Sequence, residues 1–316
     1  MKILSGAQMA RLDRLSIRRH GIPARLLMRN AARACCDELL ALRDSKQFRR
    51  AAIVCGPGNN GGDGFAIASL LRRRIGEVRI FFLGDEASLS EEARHYHGRV
   101  KDLILPDRAM PAALRRADLV VDALFGIGLK RPVTGRYAKA IAAMNRAPGY
   151  KLAVDIPSGI SADTGEAMGT AFRADLTVTF EAPKWGQILP PAWDYVGRLA
   201  VRPIGLSRAE LKRMPSAAEW VDAGYVRRHW RPRSRGAHKG DAGRVLVVAG
   251  SREMPGAGYL SGLSALRAGA GLVTWALLEE AYRRIDLRFS EVILSPAPSE
   301  GGKFSAASAG ALRPKL

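Results

Sequence analysis

Apolar positions recur in two rhythms along this chain. Near its start Met9, Leu12 and Leu15 fall at helical spacing, and Ser5 with Gln8 three residues later reads as a capping box opening that helix. A second helix is predicted from Pro23 to about Arg43. Short apolar runs bounded by turn residues then take over. Ala51 to Cys55, Val78 to Leu83, Leu119 to Asp122, Leu152 to Asp155 and Leu176 to Phe180 read as strands, with amphipathic stretches between them. That alternation predicts an α/β fold built on a mostly parallel sheet with helices on both faces.

The rhythm breaks after Leu206. Residues 207–243 carry Arg227, Arg228, Arg231, Arg233, Arg235, Pro215 and Pro232 with little periodicity, which reads as a linker. A strand from Arg244 to Ala249 opens a second α/β unit, with a Gly- and Ala-rich helix from about Ala257 to Ala270 and a strand from Leu272 to Leu277. The expected organisation is a first domain over 1–206, a linker over 207–243 and a second unit over 244–316.

Composition adds an expectation and several exclusions. The 316 residues carry a formal net charge of +20, so something anionic is the expected partner. The arginines are scattered along helices without aromatic interleaving or a compact basic run, which favours solvated helix faces and no nucleic-acid partner. Cys35 and Cys36 are adjacent and Cys55 ends an apolar run, a spacing that suits neither a disulfide framework nor a zinc site. No segment approaches the roughly 20 apolar residues of a membrane span, and residues 1–23 lack a continuous apolar core. A cytoplasmic location with no membrane partner is expected.

Three loops carry the chemistry. The first, Gly56-Pro57-Gly58-Asn59-Asn60-Gly61-Gly62-Asp63-Gly64, follows a strand and precedes a helix. Gly56, Gly58 and Gly61, with Glu77 about 20 positions on, satisfy the Rossmann dinucleotide fingerprint. Pro57 removes a backbone donor, however, and Asp63 sets a carboxylate where a pyrophosphate prefers bare N–H groups. Asn59, Asn60 and Asp63 suit a sugar hydroxyl or a hard cation instead. The plainer alternative is that Asp63 caps the next helix and the asparagines hold the turn.

In the second loop a strand ending in Asp122 runs into Gly126-Ile127-Gly128-Leu129-Lys130-Arg131-Pro132. It brings a carboxylate, backbone donors and two cations to the carboxyl edge of the sheet, a combination suited to phosphate. A surface turn with solvated Lys130 and Arg131 is the alternative. The third loop, Asp155-Ile156-Pro157-Ser158-Gly159, sets Asp155 at the end of a buried strand, as a general acid or base or as an acceptor of loop amides. Farther on, Lys184 could be aimed into the same cleft or simply be solvated.

Together the runs 56–64, Val-Asp-Ala-Leu-Phe-Gly at 121–126 and Val-Asp-Ile-Pro-Ser-Gly at 154–159 resemble the NAD(P)H-hydrate epimerase family, from the N-terminal helices to about Gly205. The resemblance implies a Rossmann-like fold, hydrated NADH or NADPH as the small-molecule substrate, and a homodimer through the N-terminal helices. It implies that the first loop, with Asn59, Asn60, Gly61, Gly62 and Asp63, and the stretch Gly126 to Pro132 hold the nucleotide, with Asp155 at the reacting end; Lys184 joins them as a candidate from its own position in the sequence. It also implies one potassium ion per epimerase domain at Asn60, Asp122 and Ser158, a set with oxygens only and a single carboxylate, which suits a monovalent cation. The sequence departs from the family at Ile127, where threonine is common, and at Arg29, where glutamate is usual.

Residues His238 to about Gly271 resemble the start of an ADP-dependent NAD(P)H-hydrate dehydratase, implying a partial second domain of ribokinase-like fold. The sequence reaches Leu316 before that family's glycine-rich phosphate loop and its aspartate. Dehydratase turnover is therefore expected to be absent, with ADP or ATP relevant only to a complete domain and an apolar sheet edge or face left uncovered. The rival readings are an NAD(P)-dependent dehydrogenase using Gly56, Gly58 and Gly61, and a non-catalytic nucleotide- or RNA-binding protein.

Overall fold

The computed structural model describes residues 1–42, 47–230, 232–285 and 291–313. The chain divides into two compact units, Met1–Tyr225 and Val226–Leu316.

The first unit opens with α1 (Gly6–His20) and α2 (Ala24–Leu40). Ser5 caps α1 as expected: Gln8 N donates to its Oγ at 3.1 Å, and its own N donates to Gln8 Oε1 at 2.8 Å. Gly21, at φ 65°, supplies the left-handed residue that ends the helix. The end of α2 expected near Arg43 lies outside the described residues.

A six-stranded sheet follows, with β1 (Arg50–Cys55), β2 (Glu77–Phe82), β3 (Leu119–Ala123), β4 (Tyr150–Val154), β5 (Leu176–Phe180) and β6 (Arg198–Arg202). All are parallel, in the order β2-β1-β3-β4-β5-β6. The connections are made by α3 (Asn59–Leu71), α4 (Glu91–Arg99), α5 (Met110–Arg116), α6 (Gly135–Arg146), α7 (Trp185–Ile188) and α8 (Trp193–Val196).

The strands are apolar throughout because both faces are covered. Ile53, Val121, Val154 and Val178 pack with residues of α1, α2 and α3 on one side, while Ala52, Val54, Val120 and Ala153 meet Met110, Leu114, Ile141 and Met144 of α5 and α6 on the other. Successive side chains point to opposite faces, so neighbours such as Ile53 and Val54 serve different cores.

β6 has no counterpart among the predicted strands. Its five residues begin and end with arginine, and both arginines pair with the buried Glu38 of α2, Arg198 Nη2 at 2.8 Å from Oε2. Charge at both ends of a short edge strand hides it from an apolar pattern.

The first unit also runs beyond residue 206, through the first half of the stretch read as a linker. In α9 (Arg208–Arg213) the buried Glu210 pairs with Arg19, His20 and Arg213, and Trp220 N donates to Met1 O at 2.6 Å. Ion pairs and backbone bonds anchor this segment, and neither leaves a periodic apolar signature.

α10 (Ala223–His229) crosses the boundary between the units. Arg231, read as part of the linker, lies outside the described residues. The second unit holds a three-stranded parallel sheet of β7 (Arg244–Val248), β8 (Leu272–Leu278) and β9 (Ile293–Ala297) in the order β7-β8-β9. With it are α11 (Gly256–Ala268), α12 (Glu279–Tyr282) and α13 (Ala306–Leu312). Trp275 of β8 is fully buried, and Gly258 lies so close that a Cβ there would sit 2.1 Å from Nε1. Val248 and Ile293, on the two outer strands, stay half exposed.

Candidate active site

The strand order reverses direction at β1: the chain goes outward to β2 and then returns to β3 on the other side. Open α/β sheets bind ligands at the carboxyl end of such a switch point. Here it is formed by the glycine-rich loop after β1 and the loop after β3, and the two backbones touch. Gly56 N donates to Ala123 O at 2.9 Å, and a Cβ on Gly56 would lie 1.9 Å from Leu124 O. Gly61 is equally tight against Gly56 O, so neither position admits a side chain without moving the loop.

Asn60, Asp122 and Ser158 come together around the backbone of Phe125. Asn60 Nδ2 donates to Phe125 O at 3.0 Å, and Phe125 N donates to Ser158 Oγ at 2.8 Å. Ser158 in turn donates to Asp122 through Oγ at 2.6 Å and through its backbone N at 2.7 Å. Asp122 and Ser158 are fully buried and Asn60 nearly so. Burial pushes the Asp122 carboxyl up to about 6, against the pull of its hydrogen bonds from Ser158 and Leu124. No ion pair to Asp122 exists among the described residues, which leaves a buried carboxylate whose neighbours offer oxygens and amides. Nor is there, among those residues, a group of three or more His, Cys, Asp or Glu able to hold a metal ion.

Asp155 stands one residue beyond β4 instead of ending it, at φ 65°, and Glu181, one residue beyond β5, is at φ 62°. Both are non-glycine residues in the left-handed region, a strain that recurs at functional sites. The Asp155 side chain is only 13% exposed, and Lys184, the first residue after the β5 loop, is fully buried with Nζ 2.5 Å from Asp155 Oδ1. The same oxygen accepts from Thr179 Oγ1 at 3.0 Å, and Lys184 Nζ also donates to Thr179 Oγ1 at 2.7 Å. Gln187 closes the frame: Nε2 donates to Asp155 O at 2.6 Å, and Oε1 accepts from Lys184 N at 2.8 Å. Among the described residues Asp155 Oδ2 accepts no hydrogen bond. The solvated reading of Lys184 is thereby excluded.

Two more carboxyls lie within electrostatic reach of Asp155. Asp63 does not cap α3, since Gly58 holds that position and Asp63 lies a turn further in. Burial, reinforced by Asp155 and Asp13, pushes the Asp63 carboxyl well above the usual range. Asp13, on α1, is partly buried and is pushed up to about 6 by burial and then by Asp155, with Lys184 opposing.

The remaining predicted positions are more open. Asn59 is exposed, with its Oδ1 accepting from Ser90 Oγ at 3.0 Å, while Gly61 and Gly62 are buried. Gly126 and Ile127 are half-buried, Gly128 is exposed and Leu129 half-buried, and Lys130, Arg131 and Pro132 project into solvent at the same carboxyl edge. Glu77 fails its part in the dinucleotide fingerprint. It begins β2 opposite Arg50, at the amino edge of the sheet, and pairs with Arg79. The carboxylate that binds a ribose must stand at the other edge. The three cysteines are free and buried; burial pushes Cys36 up to about 12 and the other two well above their usual range, so none offers a thiolate at neutral pH.

Sequence reasoning missed Asp13, Thr179, Glu181 and Gln187. Asp13 looks like any charge on an amphipathic helix, and Thr179 like any strand threonine. Only the TFEAPKWGQ stretch, where Glu181 and Gln187 lie within six positions of one another around Lys184, offered a local hint.

Known protein families match both parts of the chain. A family model described as YjeF-related protein N-terminus matches residues 24–186, and one described as NAD(P)H-hydrate dehydratase matches residues 245–312. The chain is 36% identical over 301 residues to a bifunctional NAD(P)H-hydrate repair enzyme Nnr of Thermofilum pendens, covering 93% of this chain and 56% of that protein. It is also 36% identical over 312 residues to the enzyme of the same name from Dictyoglomus turgidum, covering 96% and 60%. An NAD(P)H-hydrate epimerase of Limosilactobacillus fermentum is 41% identical over 198 residues, covering 63% of this chain and 94% of that one. The chain thus spans less than two thirds of the length of the two bifunctional relatives. Among solved structures, yeast ynu0 superposes with a TM-score of 0.57 at 18% identity over 71% of this chain and 98% of that one, a likeness of fold. Among the described residues, no helix is long and apolar enough to cross a membrane. With the family model covering the loops that build this site, the chain belongs to the NAD(P)H-hydrate epimerase family, that of the YjeF-related protein N-terminus.

Proposed function

We propose that the first unit interconverts the R and S epimers of hydrated NADH and NADPH. The observation that carries this reading is the Asp155 carboxylate at the carboxyl end of β4, one oxygen fixed by Lys184 and Thr179 and the other without a hydrogen-bond donor among the described residues. The substrate carries a hydroxyl on the ring carbon next to nitrogen. Protonation of that hydroxyl lets the C–O bond break as the nitrogen lone pair moves in to form C=N⁺. Water then adds to the other face, the electron pair returns to nitrogen, and a carboxylate takes the proton that water sheds. Asp155 handles a proton in this exchange, and Lys184 and Gln187 hold it in place. Gly126 to Pro132 and the loop Asn59 to Asp63 receive the nucleotide, with Lys130 and Arg131 placed for phosphate.

The site around Phe125 suits potassium. Asn60, Asp122 and Ser158 would hold it, and it would neutralise the buried Asp122 charge and stiffen the three loops. Asp155 is not part of that set. A homodimer and a cytoplasmic location belong to the same reading.

The dehydrogenase alternative loses its acidic residue with Glu77 at the wrong edge. The deciding experiment mixes purified protein with the R epimer of hydrated NADPH and follows its conversion to S by chromatography. Conversion at the enzyme-free rate would refute the reading; oxidation of NADH on addition of a carbonyl substrate would favour the dehydrogenase.

A further inference from the structure

α1 is tied to the segment that carries Lys184. Leu4 N donates to Pro183 O at 3.0 Å, Trp185 N donates to Leu4 O at 3.1 Å, and Gly6 N donates to Asp163 Oδ1 at 2.7 Å. These bonds fix the start of the helix across the loops that follow β4 and β5. Asp13 lies on the face of α1 shared by Met9 and Ser16, at spacings of four and three residues, and both of those are buried. Its carboxyl is within electrostatic reach of Asp155, Lys184, Glu181 and its own neighbour Arg14, and acts electrostatically on Asp63 of α3. Among the described residues it makes no hydrogen bond and no ion pair. A half-buried acid within electrostatic reach of Asp155 and Lys184, with no partner of its own among the described residues, is poorly explained by stability, because burying an unpaired carboxyl costs free energy.

We propose that Asp13 is a second proton-handling carboxyl of this site, acting on the face of the substrate ring opposite Asp155. The inference rests on the epimerase reading. Inversion at one carbon needs a proton given on one face and taken on the other, and a single carboxyl serves both faces poorly. Asp155 is paired with Lys184 through Oδ1 and accepts the proton in the direction described next. Asp13 makes no ion pair among the described residues, and burial, then the nearby Asp155, pushes its carboxyl up to about 6. In one direction Asp13 gives its proton to the departing hydroxyl, the C–O bond breaks with the nitrogen pair forming C=N⁺, and water leaves. A water on the far side then forms the new C–O bond, the π pair returns to nitrogen, and the released proton goes to Asp155. For the other epimer the two carboxyls exchange roles, and solvent restores their protons between turnovers.

The test is the pH profile of epimerisation, corrected for the enzyme-free rate, for wild type, Asp13→Asn, Asp13→Glu and Asp63→Asn, with folding checked by thermal unfolding. A donor must be protonated, so wild-type activity should fall on an alkaline limb that begins near pH 6. Asp13→Asn should lose about 10²-fold or more in kcat, the usual worth of a placed acid, and the residual rate should lack that limb. Asp13→Glu should keep a limb at a shifted midpoint. The proposal is overturned if Asp13→Asn keeps the wild-type limb, or if the limb disappears in Asp63→Asn and not in Asp13→Asn. A wild type that does not interconvert the epimers refutes the epimerase reading itself and takes this inference with it.

Discussion

Lys184 and Asp155 form an ion pair in which the lysine is wholly buried and Nζ lies 2.5 Å from Oδ1. The two come from loops after adjacent strands, 29 residues apart, and Thr179 bonds to both. The pair converts two loops into one rigid rim and orients the oxygen left over.

Removing one partner leaves the other charge buried and uncompensated. Lys184→Met should cost about 2–4 kcal/mol, a little below the range for a wholly buried pair because Asp155 keeps some exposure. The double variant Lys184→Met, Asp155→Asn should recover part of that loss. Urea unfolding of the four proteins closes the cycle, and additive effects would contradict the coupling.

Asp155→Asn keeps the shape of the side chain and removes its ability to take a proton. Interconversion of the epimers should fall by about 10²-fold or more while circular dichroism stays native. Unchanged turnover would remove Asp155 from the chemistry.

Potassium should raise the thermal midpoint of the wild type, since a ligand bound only by the folded state stabilises it by mass action. Lithium, too small for a site of amide, hydroxyl and single-carboxylate oxygens, should act weakly. In Asp122→Asn and Ser158→Ala the potassium response should vanish; a wild type indifferent to potassium would argue against the site.

A Cβ on Gly61 would sit 1.9 Å from Gly56 O, which is backbone and cannot swing aside. Gly61→Ala should therefore shift the glycine loop, raise KM for the hydrated nucleotide by tenfold or so and leave the sheet core folded. An unchanged KM would show that this loop does not meet the nucleotide.

The Asp13 carboxyl, raised from its ordinary 3.8 to about 6, is protonated more readily folded than unfolded. The stability it contributes is complete below about pH 4 and lost as the pH rises through about 6. Asparagine cannot ionise and escapes that loss. Asp13→Asn should be more stable than wild type at pH 8, by up to about 3 kcal/mol, with the gap closing toward pH 4. Denaturant midpoints at the two pH values decide it; a variant less stable at pH 8 would mean that Asp13 is held by partners in its charged form.

The sequence by itself determined the sheet, because a parallel strand covered on both faces must be apolar throughout and its loops must break that run with glycine, proline and polar residues. Five of the six strands of the first unit, the Ser5 cap and the three loops around Asn60, Asp122 and Ser158 were legible on those grounds. Tertiary structure alone decided which charges are buried. Lys184, Glu38 and Glu210 look like surface residues in the chain and are enclosed by partners from distant segments, Asp155, Arg198 and Arg202, and Arg19 and His20 respectively. It alone brought Asp13 within electrostatic reach of Asp155 and set Glu77 at the amino edge of the sheet. Apolar periodicity records only what each element hides from water, whereas the pairing of charges depends on which loops meet, and that is settled only when the chain closes on itself.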